Sequence, residues 1–192
     1  MSGRVFSFGI GSGQVFQFGF IVQDIEASMN FISENLKIGP FALMKDFVAP
    51  AGNYRGSTDN PKLSIAHLWT GRLFIELIQQ HTDTPSVYTE YSDRYGFGLH
   101  HLGIAIDPED YDSVMDGYYA KGFEDVFIDE LPTGARIRYI APKEKSAMEA
   151  MKAASGVSYL ECVDLRQGEE VSFSEMVDAA AKWDGKTVYR LR

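Results

Sequence analysis

The chain has little cysteine, a minority of basic residues and no long apolar run. Cys162 is the single cysteine among 192 residues, so no internal disulfide can form, as is usual in a reducing compartment. Asp and Glu outnumber Lys and Arg by 27 to 18, and the resulting net charge of −9 argues against nucleic acid and anionic membranes, which both bind basic surfaces. We find neither the ~18 consecutive apolar residues of a membrane span nor the apolar block of a signal peptide. These absences predict a soluble cytoplasmic protein.

What the chain does contain is an internal repeat, which decides the fold question before any other feature. Gln17–Asp24 and His101–Asp107 are each an apolar strand that runs directly into a helix. Each copy also ends in an apolar strand with one acid at its centre, Glu76 in the first and Glu161 in the second. Glu76 lies 59 positions after Gln17, and Glu161 lies 60 positions after His101. A duplicated unit with one metal-competent side chain at the same two points can bring four such side chains together.

Each copy is predicted to be a strand-helix-strand-strand-strand unit. In the first copy, residues 14–80, Asp24 is a helix N-cap, and Gly39-Pro40 ends the helix that follows. The second copy, residues 99–165, carries an insertion at 142–156 that we expect to form a short helix. The remaining segments are predicted to be a flexible arm at 1–13, a linker at 81–98, and a C-terminal helix and tail at 166–192. The predicted fold class is therefore α+β, with two tandem βαβββ modules.

Polar residues inside these apolar strands are the candidate functional residues, because a buried Gln, Glu or His is costly unless it is paired or bound to a metal. Gln17 and His101 are each followed two residues later by a glycine, which leaves space on the same strand face for a metal or substrate. Strand alternation predicts that Phe16 lies on the opposite face from Gln17, and that His100 packs on the opposite face from His101. The alternative is that these polar side chains only hydrogen-bond to neighbouring strands.

The two copies resemble the paired βαβββ modules of the vicinal-oxygen-chelate superfamily, which includes glyoxalase I, methylmalonyl-CoA epimerase, extradiol dioxygenases and bleomycin-resistance proteins. The resemblance covers about residues 15–165 and implies a cup-shaped mixed sheet, with modules that pair within one chain or across a homodimer. It implies that the first and last strands of each module supply the metal ligands, here Gln17, Glu76, His101 and Glu161. This set is similar to that of eukaryotic-type glyoxalase I. Segments 35–41, 54–56 and 76–79 look more like the epimerase-like branch, which usually starts with His where this chain has Gln17.

One imidazole and three oxygen donors suit a six-coordinate divalent ion, and the sequence does not distinguish zinc, nickel, cobalt, manganese and magnesium. Iron-dependent oxygen chemistry usually uses two histidines and one carboxylate, which disfavours the dioxygenase alternative. We therefore expect a lyase or isomerase that moves a proton next to a carbonyl through a metal-stabilised enolate. Glu161 is the expected base and Glu76 the alternative base, while His67 and Tyr54 are expected to contact the substrate.

The expected partner is a small molecule, either an acyl-CoA or an aromatic or apolar carbonyl compound. Phe, Tyr and Met are abundant, at 13, 10 and 7 residues, which favours an apolar cavity, although most of these side chains are also explained by an ordinary core. A competing hypothesis is a bleomycin-resistance-like protein that binds a small molecule without chemistry. Members of that kind usually lack a full ligand set, so the metal content of the purified protein distinguishes the two hypotheses.

Overall fold

The structure is a computed structural model that describes residues 3–192, and these residues form one curled ten-stranded sheet with five helices around it. The strands are β1 (Gln14–Ile21), β2 (Phe41–Phe47), β3 (Asn53–Tyr54), β4 (Leu63–Trp69), β5 (Phe74–Gln80), β6 (Gly98–Ile106), β7 (Phe123–Glu130), β8 (Arg136–Pro142), β9 (Tyr159–Asp164) and β10 (Tyr189–Leu191). The helices are α1 (Ile25–Leu36), α2 (Val87–Tyr95), α3 (Tyr111–Ala120), α4 (Lys145–Ser155) and α5 (Gln167–Ala181). This architecture confirms the predicted α+β class.

The order of strands in the sheet reproduces the repeat seen in the sequence. It runs β10-β2-β4-β5-β1-β6-β9-β8-β7-β3. Within the first module β1 is parallel to β5, and within the second β6 is parallel to β9. The modules join in one chain through the antiparallel pair of β1 and β6. The first and last strands of both modules are therefore four neighbouring strands at the centre of the sheet.

The repeat helices α1 and α3 cover one face of the sheet. Asp24 accepts a hydrogen bond from the backbone N–H of Ala27 at 2.9 Å, as expected of a helix N-cap. Helix α1 buries Ile25 and Met29 in a cluster with side chains of β2, β4 and β5. Helix α3 buries Tyr111 and Met115 against β6, β8 and β9 in the same way. The opposite face of the sheet is thus left to form the interior of the cup.

The pairing of β1 with β6 is interrupted by two β-bulges, one in each strand. Val15 pairs with Ile104 and Gln17 with Gly103, so Phe16 is an extra residue in β1. Gly19 pairs with His101 and Phe20 with Leu99, so His100 is an extra residue in β6. A bulge breaks strict alternation and re-aims a side chain. Each bulge immediately precedes a predicted metal ligand.

Residues 3–13 pack against the sheet, so the prediction of a flexible arm is wrong for this part of the chain. Phe6 and Phe8 are 1% and 8% exposed. The ring centroid of Phe8 lies 5.8 Å from that of Phe74 and 5.9 Å from that of Phe173. This segment is rich in Gly and Ser, but its alternate residues Phe6, Phe8 and Ile10 form an apolar face. Residues 1 and 2 of the predicted arm lie outside the described residues.

Residues 48–62, here called the strap, connect two strands near one edge of the sheet and carry β3 to the other edge. β3 pairs with β7, which lies at the far end of the strand order from β2 and β4. The backbone N–H of Ala51 donates to Asp129 Oδ1 at 2.9 Å, and the Tyr54 hydroxyl donates to Glu90 Oε2 at 2.6 Å. The strap therefore runs from one edge of the curled sheet to the other.

The remaining segments add three helices and an edge strand. The predicted linker contains α2, the insertion contains the predicted helix α4, and α5 packs on β4, with the ring of Phe173 5.7 Å from that of His67. Strand β10 pairs with β2 in parallel. Within residues 3–192, none of the helices combines the length and apolar character needed to cross a membrane.

Candidate metal centre

The four central strands bring together the side chains of Gln17, Glu76, His101 and Glu161, all of them buried. Gln17 Nε2 donates a hydrogen bond to Glu161 Oε2 at 3.0 Å. His101 Nε2 lies 3.2 Å from Glu76 Oε2 and 3.3 Å from Glu161 Oε2. The same nitrogen is 3.3 Å from Gln17 Nε2. The predicted ligand set from both modules thus surrounds one imidazole nitrogen.

Two glycines provide the space in which these side chains meet. The register of β1 and β6 sets Gly19 opposite His101 and Gly103 opposite Gln17. A Cβ atom on Gly19 would lie 1.8 Å from His101 Cε1, and one on Gly103 would lie 2.8 Å from Gln17 Cβ. The sequence predicted that this space would hold a metal or substrate. Instead, each glycine accommodates the polar side chain of the other module.

The bulges change which side chains face the site, so two expectations from strand alternation are wrong. Phe16 lines the same cavity as Gln17. His100 does not turn away from its neighbour, because its Nδ1 lies 2.9 Å from His101 Nδ1. His100 is packed, as expected, with a fully buried ring. A bulge at the residue before each candidate ligand accounts for both outcomes.

Burial and charge act in opposite directions on the ionisable groups of the site. Burial favours the neutral form of Glu76, but hydrogen bonds from His101 and His67 outweigh it and lower the pKa of Glu76 to about 2. Burial also opposes charge on His101, yet Glu161 and Glu76 raise its pKa to about 9. For His100, burial and the neighbouring charge of His101 hold the pKa well below 6.5. The protein groups alone therefore form a buried imidazolium between two carboxylates.

The donor set fits a divalent cation. One potential ligand atom from each of Glu76, His101 and Glu161 lies within 4.8 Å of the others. Gln17 Oε1 is buried and accepts no hydrogen bond from any group within residues 3–192, and the buried Glu76 Oε2 faces the His101 imidazole at 3.2 Å. A buried acceptor without a partner costs about 1–3 kcal/mol, and a bound cation would satisfy the Gln17 oxygen. Carboxylate, amide and imidazole donors are together suited to hard or borderline divalent ions.

An apolar cavity of about 250 Å³ extends from this centre. Most of its wall is apolar or aromatic, and it includes Phe16, Met44, Phe47, Leu63, Ile65 and Phe127. The two expected substrate contacts, His67 and Tyr54, also line the cavity. His67 Nε2 lies 3.1 Å from Glu76 Oε1, while the Tyr54 hydroxyl donates to Glu90. Both side chains thus face the cavity, but a glutamate holds the polar group of each.

Sequence reasoning missed Tyr139, which borders both the centre and the cavity. Tyr139 pairs with Glu161 across β8 and β9, and its ring centroid lies 5.0 Å from that of His101. Burial is the largest cause that raises the pKa of the Tyr139 hydroxyl well above 10, so this hydroxyl keeps its proton near neutral pH. Tyr139 could have been identified from strand pairing, because the register of the two strands sets it opposite Glu161.

The fold and this geometry agree with a comparison against protein families. The sequence model of the glyoxalase/bleomycin resistance protein/dioxygenase superfamily matches residues 16–141. The chain belongs to this superfamily. The match spans the first module from residue 16 onward and the second module as far as β8, which confirms the vicinal-oxygen-chelate fold implied by the repeat. A search of curated proteins found no significant match.

Solved structures with the same fold include proteins of several bacteria. A hypothetical protein from Bacillus halodurans C-125 is 18% identical, with a TM-score of 0.53 over 80% of this chain and 95% of that chain. Methylmalonyl-CoA epimerase from Mycobacterium tuberculosis is 16% identical, with a TM-score of 0.51 over 80% and 89%. A variant of the Streptomyces coelicolor epimerase in complex with 2-nitronate-propionyl-CoA is 15% identical, with a TM-score of 0.52 over 82% and 97%. At these identities the likeness shows the fold alone.

Proposed function

We propose that the protein is a divalent-metal-dependent enzyme of the glyoxalase or epimerase type, which moves a proton on a carbon next to a carbonyl group. The observation that carries this proposal is the meeting of four buried polar side chains from two modules, three of which line an apolar cavity. Buried polar groups that serve only the fold are usually paired. Here the side-chain oxygen of Gln17 finds no donor within the described part of the chain.

Gln17 Oε1, Glu76, His101 Nε2 and Glu161 would hold the cation. When bound, such an ion supplies Lewis-acid polarisation of a substrate carbonyl. The protein supplies the rest: the strand pairings fix the ligand side chains, and the apolar walls keep water away from the reacting carbon. Low polarity around the site strengthens every electrostatic interaction made there.

Glu161 is the proposed base that removes the proton from the carbon next to the carbonyl. Its contacts with the Gln17 amide and with His101 Nε2 are both made by Oε2, whereas Glu76 is held at Oε1 by His67 and at Oε2 by His101. A carboxylate held at one oxygen is freer to approach the substrate than one held at both. In a lyase or isomerase Glu161 would return the proton itself. In an epimerase Glu76 would be the second group, and it would first have to take up a proton before passing it to the opposite face of the same carbon.

The proposed substrate is a small carbonyl compound with an apolar or aromatic group, free or as an acyl-CoA thioester. Apolar and aromatic side chains form most of the cavity wall, so burial of an apolar substituent would supply much of the binding energy. Homologous epimerase structures contain methylmalonyl-CoA or 2-nitronate-propionyl-CoA, which supports a test with thioesters. We also propose that the protein forms a homodimer, and this rests on the family resemblance.

The test is hydrogen exchange at the substrate carbon in deuterated water, followed by NMR with methylmalonyl-CoA and with an aryl-substituted ketone. Glu161→Gln should keep most metal binding and lose about 100-fold or more of the exchange rate, the usual contribution of general base catalysis. Glu34→Gln, an exposed substitution on α1, is the matched control and should exchange like the wild type. Unchanged exchange in Glu161→Gln would remove Glu161 from the role of base.

A binding protein without chemistry is the second candidate, and the apolar character of the cavity favours it. Such a protein needs the cavity but has no use for a cluster of buried polar side chains beside it. Elemental analysis of the protein purified without chelators separates the two candidates. One divalent ion per chain supports the enzyme, whereas a metal-free protein that binds apolar ligands supports sequestration.

A further inference from the structure

His100 makes two polar contacts, one with each nitrogen of its ring. Its Nδ1 lies 2.9 Å from His101 Nδ1, and its Nε2 lies 3.2 Å from the backbone carbonyl oxygen of Val87. Both histidine side chains are 0% exposed, so water does not compete for these contacts. Because of the bulge in β6, two consecutive residues of one strand can touch through their rings.

The number of protons on each imidazole ring determines which atom donates in each of these contacts. A carbonyl oxygen only accepts, so His100 Nε2 carries a proton and donates it to Val87. A neutral His100 then has a bare Nδ1, which accepts a proton donated by His101 Nδ1. When His101 is neutral, Nε2 is therefore the nitrogen with a free lone pair, and it is the nitrogen that faces Glu76 and Glu161. The chain of contacts thus selects the tautomer that can bind a metal through Nε2.

The surroundings of His100 hold its ring in the required orientation. Four tyrosine rings surround it, with centroids 4.7 to 5.7 Å from the imidazole: Tyr88, Tyr91, Tyr139 and Tyr159. The carbonyl of Val87 belongs to the first residue of α2, a helix that starts with a capping box between Ser86 and Thr89. The acceptor for His100 is therefore part of a well-anchored helix start.

We propose that His100 is a positioning residue for the metal centre, which fixes the tautomer and ring orientation of His101 by linking it to the start of α2. The inference rests on the proposed role of His101 as a metal ligand. Metal-binding histidines usually donate their second ring N–H to a carboxylate, a backbone carbonyl or water. Here the imidazole of His100 lies between the proposed ligand His101 and the backbone carbonyl of Val87.

The experiment compares three variants by calorimetric titration of the metal-free protein with zinc. His100→Phe keeps a ring within the tyrosine cage but removes the acceptor, and it should bind zinc 10–100-fold more weakly, as is typical when an outer partner of a ligand is lost. His100→Gln retains an acceptor for His101 and a donor for Val87, and it should recover most of the affinity. Tyr91→Phe removes one hydroxyl of the cage without touching either contact, and it should bind zinc like the wild type.

A second measurement reads the tautomer itself. Proton–nitrogen NMR of the metal-free wild type, followed upward in pH until the His101 ring is neutral, should find the remaining proton of His101 on Nδ1, and the zinc-bound protein should keep it there. A proton on Nε2 in the metal-free wild type would overturn the proposal. Wild-type zinc affinity in His100→Phe would also overturn it. If the wild type binds no zinc or other divalent ion, the proposed function fails, while the NMR measurement still decides the role of His100.

Discussion

At the scale of single residues, the centre depends on two glycines as much as on the four polar side chains. Gly19 lies opposite His101 and Gly103 lies opposite Gln17, so each module leaves a gap that the other fills. The two gaps are equivalent because β1 and β6 are equivalent strands that pair in antiparallel. The glycines are therefore part of the site, since the space beside each one holds a side chain of the other module.

Gly19→Ala should therefore damage the site directly. The new Cβ would lie 1.8 Å from His101 Cε1, so the imidazole must move away from Glu76 and Glu161. We expect a loss of zinc affinity of at least 100-fold, and destabilisation by about 1–3 kcal/mol, as for other overpacked cores.

Calorimetry and urea unfolding measure the two effects of Gly19→Ala. Gly117→Ala is the matched control, because a Cβ at Gly117 in α3 meets no heavy atom within 4 Å. That variant should bind zinc normally and be no less stable than the wild type. Normal zinc affinity in Gly19→Ala would show that the gap is not needed.

The raised pKa of His101 predicts how metal binding depends on pH. Its pKa is about 9 against an ordinary value of 6.5, so in the metal-free protein the charged ring stabilises the fold below pH 6.5, and this contribution is lost as pH rises through 9. A metal ligand must be unprotonated. Zinc affinity should consequently rise by about tenfold per pH unit from 6.5 towards 9, with about one proton released per ion at pH 7.

Calorimetry in buffers of different ionisation enthalpy counts the released protons, and magnesium or manganese can replace zinc where hydroxide forms. The increase in melting temperature on metal addition should grow over the same pH range. An affinity that stays flat between pH 7 and 9 would contradict a protonated His101 in the metal-free protein.

The residues of the centre could be predicted because the repeat marks equivalent positions. Gln17, Glu76, His101 and Glu161 stand out as polar residues inside apolar strands. The contact of His100 with His101 could not be predicted in the same way. A bulge is a property of strand pairing, and alternation along an isolated strand gives the wrong face when an extra residue is present.

At the scale of elements, the strap determines how the cavity is closed. It carries β3 across to β7, and Tyr54 and Arg55 attach it to Glu90 of α2. The Tyr54 hydroxyl lies 2.6 Å from Glu90 Oε2, and Arg55 Nη2 lies 3.0 Å from Glu90 Oε1. Because Tyr54 lines the cavity, opening of the strap would change access to it.

Glu90→Gln should loosen the strap without affecting the metal centre. Loss of charge-assisted hydrogen bonds at a half-buried carboxylate removes about 1.5 kcal/mol, so amide hydrogen exchange at residues 51–57 should become about tenfold faster. Glu26→Gln removes another ion pair, with Lys45 at 2.7 Å, and serves as the matched control with unchanged exchange in the strap. The idea fails if exchange at 51–57 is the same in both variants, or if zinc affinity falls in Glu90→Gln.

Elements of the repeat were predictable from periodicity and capping, whereas two other segments were not. The helix from Ile25 to Leu36 begins after its N-cap as predicted. The two-residue strand β3 is too short to leave a pattern, and its partner lies in the other module. Residues 3–13 have a loop-like composition, but burial of Phe6 and Phe8 against Phe74 and Phe173 fixes them. Long-range packing, and not local sequence, decides such segments.

At the scale of the whole molecule, the two modules form the candidate centre where they meet. Each module contributes one candidate ligand from its first strand and one from its last, and these four strands are neighbours in the sheet. The repeat predicted this arrangement but did not show whether the modules pair within a chain or between chains. The direct pairing of β1 and β6 in the structure places both modules of one chain side by side.

The most direct test of the account is an anomalous diffraction measurement on crystals loaded with nickel or cobalt. The account predicts one anomalous peak per chain, within about 2–2.5 Å of a side-chain atom of Gln17, Glu76, His101 and Glu161. A peak elsewhere, or no peak in crystals of protein that has been supplied with the metal, would contradict a cation centre built by the two modules together.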